Sequence, residues 1–230
     1  MQEYRYLLLD LDETILDFRR TEEHSLRGMM RQLFDRELTD AEIESYDAIN
    51  AELWKRLERK EVTKDRLKML RFETWLRELG MATDEETVRT ANETYMTVMS
   101  HTTIAMPDAE RACRALAEKY PLYIITNGTD WVQHGRMRGM TFSDVFAGVV
   151  ISDEIGCNKP DPRFFAGVTA LTGDEDVSHY LVIGDSLTSD IAFGKAIGAD
   201  TMWVNGRANG AVGEATYTVA TIADAADALL

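Results

Sequence analysis

The chain has 230 residues, 45% of them hydrophobic and 28% charged, which suits a packed core and excludes a disordered chain. A formal net charge of −15 argues against nucleic acid polymers and anionic membranes as partners. A phosphate-bearing ligand would then need local devices to hold it: a metal ion, a lysine and backbone N–H groups.

The chain opens with Met1-Gln2-Glu3-Tyr4, which has no basic start, so no signal peptide is expected. No stretch is long and apolar enough for a membrane span, so a soluble cytoplasmic protein is expected. The run Tyr6-Leu7-Leu8-Leu9 reads as a buried strand over 5–9, and Asp10-Leu11-Asp12-Glu13-Thr14 follows it directly. If the strand persisted, Asp10 and Asp12 would share one face. Two carboxylates that close raise each other's pKa unless a positive charge lies between them. A divalent cation of the magnesium kind suits such oxygen ligands, leaving one acid to attack phosphorus and the other to move a proton.

From about residue 18 to 100 the texture is helical, with four helices expected at 21–36, 40–59, 64–79 and 84–100. Thr39-x-x-Glu42 and Thr83-x-x-Glu86 read as capping boxes and Thr63 as a further N-cap, while Gly80 ends the third helix. Leu67, Leu70, Trp75 and Leu79 keep helical spacing. Trp54, Leu57, Phe72, Trp75 and Leu76 fit a bundle core better than a ligand platform. This stretch is the less acidic half: residues 17–100 carry 15 basic and 19 acidic side chains.

Beyond residue 100 strands and helices alternate. Pro107 suits the first turn of a helix reaching Tyr120. Strands are expected at 122–125, 148–151, 180–183 and 201–204, with helices at 130–139, 161–172 and 188–198. The class is α/β: a Rossmann-like parallel sheet with helices on both faces, formed by residues 1–17 and 101–230 and interrupted by a helical insert over 18–100. Cys113 in an amphipathic helix and Cys157 in a loop match neither a disulfide framework nor a zinc spacing. They read as reduced thiols. His24, His101, His134 and His179 show no metal-ligand spacing and read as structural.

Each remaining polar signal follows a strand, where open α/β sheets gather ligands. Thr126-Asn127-Gly128 offers a hydroxyl and N–H groups to phosphate oxygens, although an ordinary helix cap fits it equally well. Lys159, in Gly156-Cys157-Asn158-Lys159-Pro160-Asp161-Pro162, sits in a proline-stiffened loop, where it could offset charge on a carboxylate and a phosphoryl group. In Gly184-Asp185-Ser186-Leu187-Thr188-Ser189-Asp190, Asp185 is placed as a metal ligand opposite Asp10, with Asp190 one turn on as its support.

Acid pair, hydroxyl, lysine and metal acid, in that order, resemble the four motifs of the haloacid dehalogenase-like hydrolase superfamily over almost the whole chain. That resemblance implies a helical-bundle cap of the C1 type inserted after the first motif. Carried over residue by residue, it implies Asp10 as nucleophile and Asp12 as general acid and base, with Thr14 alongside. Thr126, Asn127, Gly128 and Lys159 would bind the phosphoryl group. Magnesium would be held by the Asp10 and Asp185 carboxylates and the Asp12 carbonyl, with Asp190 behind them. An acid at position 12 favours phosphate esters over haloacids, because an alkoxide needs a proton on leaving and a halide does not.

The stretches Tyr46-Asp47-Ala48-Ile49-Asn50-Ala51-Glu52-Leu53-Trp54 and Arg71-Phe72-Glu73-Thr74-Trp75 are similar to the bacterial pyrimidine 5′-nucleotidase subfamily. So are Ile124-Ile125-Thr126-Asn127-Gly128 and Gly156-x-x-Lys159-Pro160. This resemblance implies a pyrimidine nucleoside monophosphate as substrate, with Phe18, Trp54 or Phe72 available to stack on the base. Another small-metabolite phosphatase, acting on phosphoglycolate or a sugar phosphate, or a phosphomutase would keep the same core residues. A non-catalytic binding module would not need Asp10. Oligomeric state leaves no mark in the sequence.

Overall fold

The computed structural model describes residues 3–204 and 214–230; Met1, Gln2 and residues 205–213 of the expected core lie outside these. Two compact units emerge, residues 1–19 with 103–230 and residues 20–102. Among the described residues, no helix is long and apolar enough to cross a membrane.

Among its described residues the first unit is built on six parallel strands: β1 (Tyr6–Leu9), β2 (Leu122–Thr126), β3 (Phe146–Ile151), β4 (Tyr180–Gly184), β5 (Asp200–Val204) and β6 (Tyr217–Val219). Their order is β3-β2-β1-β4-β5-β6, the doubly wound arrangement in which the chain turns from one side to the other beside β1. Register runs Leu7 to Leu122 on one side of β1 and Leu7 to Leu181 on the other. The central strands are apolar on both faces, as a sheet covered on both sides requires. Leu7, Leu9, Leu122, Ile124, Leu181 and Ile183 enter one core with α5 (Ala109–Ala117) and α10 (Ile222–Leu229). Leu8, Tyr123, Ile125, Tyr180 and Val182 enter the other with Phe164, Val168 and Phe193. The alternation is the period-two pleat.

On this second face lie α8 (Phe165–Thr172), entered through a 3₁₀ turn at 162–164, and α9 (Ala192–Ile197), entered through a wide π-type turn at 187–191. The expected helices at 161–172 and 188–198 are therefore each divided. Among the further elements that were not expected are α7 (Ser152–Ile155), β6 and α10. Pro107 lies ahead of α5 rather than in its first turn. It occupies the second position of a turn closed by Ala109 N–H on Met106 O at 3.1 Å, with Asp108 left-handed at φ 59°, a position that favours proline.

The second unit comprises α1 (Phe18–Phe34) from residue 20 onward, α2 (Asp40–Glu58), α3 (Lys64–Glu78) and α4 (Glu85–Ser100). Thr39 and Glu42 form the expected capping box and Thr63 caps α3. At α4 the cap is Asp84 rather than Thr83: its carboxylate takes the Thr87 N–H at 3.0 Å, which also complements the helix dipole. Tyr46, Phe72, Trp75 and Tyr95 pack in tilted and edge-on pairs as the aromatic core of this bundle.

Candidate active site

β1 ends at Leu9, so Asp10 and Asp12 do not share a strand face. The chain turns at once: Ile15 N and Leu16 N both donate to Leu11 O, and Glu13 is left-handed at φ 60°. The two acids therefore separate. Asp10, almost wholly buried, is fixed by its own N–H on Ile183 O at 2.9 Å, beside the end of β4. Asp12 is turned away from that cluster, towards α6 (Asp130–Arg138). Each acid meets a protein cation of its own, Lys159 for Asp10 and Arg136 for Asp12.

Lys159 is buried with its ammonium fully satisfied: Nζ donates to Asp10 Oδ1 at 2.7 Å, Asp190 Oδ1 at 2.6 Å and Ile125 O at 2.6 Å. Burial alone would lower its pKa; the Asp10 and Asp190 carboxylates outweigh this and hold it above the usual lysine value. Asn127 sets the backbone of the same residue. Its Nδ2 donates to Lys159 O at 2.9 Å and its Oδ1 accepts Lys159 N–H at 2.8 Å.

Asp10, Asp185 and Asp190 converge, each offering a carboxylate oxygen within 4.8 Å of the other two. Asp190 is spoken for on both sides: Oδ1 holds Lys159 and Oδ2 accepts Ser186 N–H at 3.0 Å. Gly184 makes that approach possible, since a Cβ there would lie 2.3 Å from Asp190 Oδ2. Asp10 and Asp185 are the acids left to face a cation. Burial, then Asp190, pushes Asp10 up to about 8; burial, then Asp10, pushes Asp185 up to about 9. Three carboxylates against one lysine leave a deficit of positive charge, and an all-oxygen donor set suits a hard divalent ion. Magnesium fits these residues. A second group, Asp130, His134 and Glu154, lies at the surface, where His134 Nε2 meets Glu154 Oε1 at 2.8 Å as an ordinary exposed pair.

Thr126 closes β2 with its hydroxyl buried, accepting Gly128 N–H at 3.1 Å and Gln133 Nε2–H at 2.9 Å. Thr14 is buried with no partner for Oγ1. So Asp10, Lys159, Asp185 and Asp190 form one cluster, with Asn127 bracing it through Lys159. Asp12, Thr126 and Gly128 meet through Gln133, a residue absent from the expected set, as is Arg136. Helical spacing alone reads both as solvated positions on α6; only the fold turns them inward.

A parallel sheet of this order, with acids behind β1 and β4 and a buried lysine between them, defines a hydrolase scaffold, and the match of residues 4–198 shows that the chain belongs to the haloacid dehalogenase-like hydrolase family. It is 33% identical over 205 residues to the HAD-hydrolase YfnB of Bacillus subtilis, covering 89% of this chain and 86% of that protein. The crystal structure of YfnB bound to magnesium superimposes with a TM-score of 0.91 at 30% identity over 99% of both chains. The pyrimidine 5′-nucleotidase PynA of Streptococcus pneumoniae is 31% identical over 98% of this chain and 95% of its own length. The pyrimidine 5′-nucleotidase YjjG of Escherichia coli is 29% identical over 87% and 85%.

Proposed function

We propose that this hydrolase removes phosphate from small phosphomonoesters with magnesium bound, through an aspartyl-phosphate on Asp10, and that pyrimidine nucleoside 5′-monophosphates are its preferred substrates. The observation that carries the reading is the buried cluster in which Lys159 anchors Asp10 Oδ1 while Asp185 and Asp190 close on the same point. With Oδ1 held, Oδ2 is the oxygen left to attack phosphorus.

Residues 1–17 and 101–230 act as the catalytic core in this reading, and residues 18–100 as the cap. Asp10, Asp185 and the Asp12 carbonyl would hold magnesium, which when bound supplies the positive charge that keeps Asp10 and Asp185 ionised and screens the phosphoryl oxygens. Asp10 Oδ2 forms a bond to phosphorus as the bond to the ester oxygen breaks, and Asp12 gives that oxygen its proton. Lys159, Thr126 and the N–H groups at Asn127 and Gly128 line the phosphoryl oxygens. Water then attacks the acyl phosphate, with its proton passing to Asp12, and phosphate leaves with Asp10 regenerated.

The substrate class rests on PynA and YjjG, both named for pyrimidine 5′-nucleotides and matched over most of this chain, and on the Tyr46–Trp54 and Arg71–Trp75 stretches. A cytoplasmic location goes with this reading. The test is a panel of phosphorylated metabolites assayed with magnesium. Uridine and thymidine monophosphates should be turned over ahead of phosphoglycolate and sugar phosphates, and Asp10→Asn should abolish turnover of all of them. Undiminished turnover by Asp10→Asn would overturn the mechanism; preference for a sugar phosphate would overturn the substrate class alone.

A further inference from the structure

Asp12 is held from two directions by one helix. Its Oδ1 accepts from Arg136 Nη1, and its Oδ2 accepts from Gln133 Nε2 at 2.7 Å. Gln133 Nε2 also donates to Thr126 Oγ1 at 2.9 Å, so the two hydrogens of one amide nitrogen tie the acid to the hydroxyl at the end of β2. The amide's orientation is fixed in turn, because Arg136 Nη1 donates to Gln133 Oε1 at 3.0 Å and a flipped amide would set two donors against each other. Both helix residues are buried, whereas the Asp12 side chain keeps 27% of its surface open.

Arg136 is an expensive choice for a position that only needed packing. Its guanidinium is fully buried, Nε and Nη2 find no partner, and Asp12 is its ion-pair partner among the described residues. A buried charge is tolerated when a well-placed counter-ion needs it. Gly128 supplies the second observation. Its φ lies outside the left-handed region, so conformation does not call for glycine there; space does. A Cβ at 128 would lie 2.1 Å from Gln133 Nε2 and 2.6 Å from Gln133 Cγ, across the path by which the amide reaches Asp12.

We propose that Gln133 and Arg136 are positioning residues for Asp12, and that Gly128 lacks a side chain so that Gln133 can reach it. Arg136 commits Oδ1 to an ion pair and Gln133 orients Oδ2, whose remaining lone pair is the one that passes a proton to the departing ester oxygen and later takes one from water. The inference rests on the phosphoryl-transfer reading above and assigns three residues within it. Gly128 thereby serves the acid rather than the phosphate alone.

Single-turnover assays with enzyme in excess separate a positioning role from a structural one. Uridine 5′-monophosphate has an alkoxide leaving group that needs a proton; p-nitrophenyl phosphate releases a phenolate that does not. For Gln133→Met and Arg136→Lys, leaving-group release from the nucleotide should fall roughly 10²-fold or more, with less than about a threefold change for p-nitrophenyl phosphate. Gly128→Ala combined with Gln133→Met should be no worse than the poorer single variant, since both break the same contact. Equal losses on the two esters, or no loss on either, would overturn the positioning role while leaving the phosphatase reading intact. Failure of the unaltered enzyme to release either leaving group would instead sink that reading, and this inference with it.

Discussion

At the scale of single residues, the site works by saturating hydrogen bonds around a few charges. Lys159 has all three donors engaged, and Asn127 grips the backbone on both sides of its Cα. Removing that grip with Asn127→Ala should cost about 1–2 kcal/mol of stability, but roughly 10- to 100-fold in kcat, because a small displacement of Lys159 moves the Asp10 oxygen it anchors. Parallel denaturation and steady-state kinetics check this; a kcat unchanged despite the stability loss would contradict it. Gly184 carries an analogous constraint. In Gly184→Ala the new methyl meets Asp190 Oδ2 at 2.3 Å, and Asp190 must give up Ser186 N–H, Lys159 or both. A loss of about 1–3 kcal/mol is expected, with activity falling further than Tm. Asp10, Asp185 and Asp190 were legible in sequence because each follows an apolar run or lies about a turn beyond it, whereas Lys159, well past the end of β3, stood out only by its proline-stiffened loop and its place in the order of motifs. Gln133 and Arg136 were not, since a polar residue on a helix reads as solvated until the neighbouring strand end supplies its partner.

Among whole elements, the helical unit carries a polar flaw in its aromatic core. Glu22 is buried on α1, accepting from Asn50 Nδ2 at 2.8 Å and Tyr95 OH at 3.1 Å. Burial, then Asp47, pushes it up to about 8 from an ordinary 4.5. Below pH 4.5 the side chain is neutral in both folded and unfolded chains. As pH rises from 4.5 to 8 the unfolded chain ionises first, so the stability this proton confers is lost progressively, at up to about 1.4 kcal/mol per pH unit. Glu22→Gln should keep an acceptor for Asn50 and Tyr95 while removing this residue's share of the slope. Its urea midpoint should gain on that of the unaltered chain between pH 5 and 8, and parallel profiles would refute the assignment. Element boundaries follow the same balance of local and distant causes. The four bundle helices and five of the strands were readable from periodicity and caps. β6, only Tyr217–Val219 and half-exposed at the sheet edge, has too few apolar residues to signal a strand. α10 did leave a mark, the Thr221-x-x-Asp224 capping box, which the short apolar stretch behind it made easy to overlook.

For the molecule as a whole, the question is how a chain with a net charge of −15 concentrates three carboxylates at one point of its sheet. Strand order answers the geometry: β2 and β4 flank β1, so residues far apart in sequence end side by side where the winding reverses. Lysine answers only part of the charge, and a divalent cation seated there would supply the rest. Binding to the native state alone stabilises it by RT ln(1 + [L]/Kd), about 2.7 kcal/mol at a hundred times Kd. For a chain of this length that should raise Tm by roughly 5–10 °C on adding magnesium, reversed by a chelator. Two substitutions locate the effect. Asp185→Asn removes a carboxylate from the cluster and should erase most of the shift. Asp12→Asn should retain it while losing turnover, because the Asp12 side chain is committed to Gln133 and Arg136, and only its backbone carbonyl is available to the ion. Thermal melts with magnesium and with chelator, run on both variants, decide the matter. A shift surviving in Asp185→Asn would remove the acid cluster as the cation's seat, and a shift lost in Asp12→Asn would make that carboxylate a ligand instead of a proton carrier.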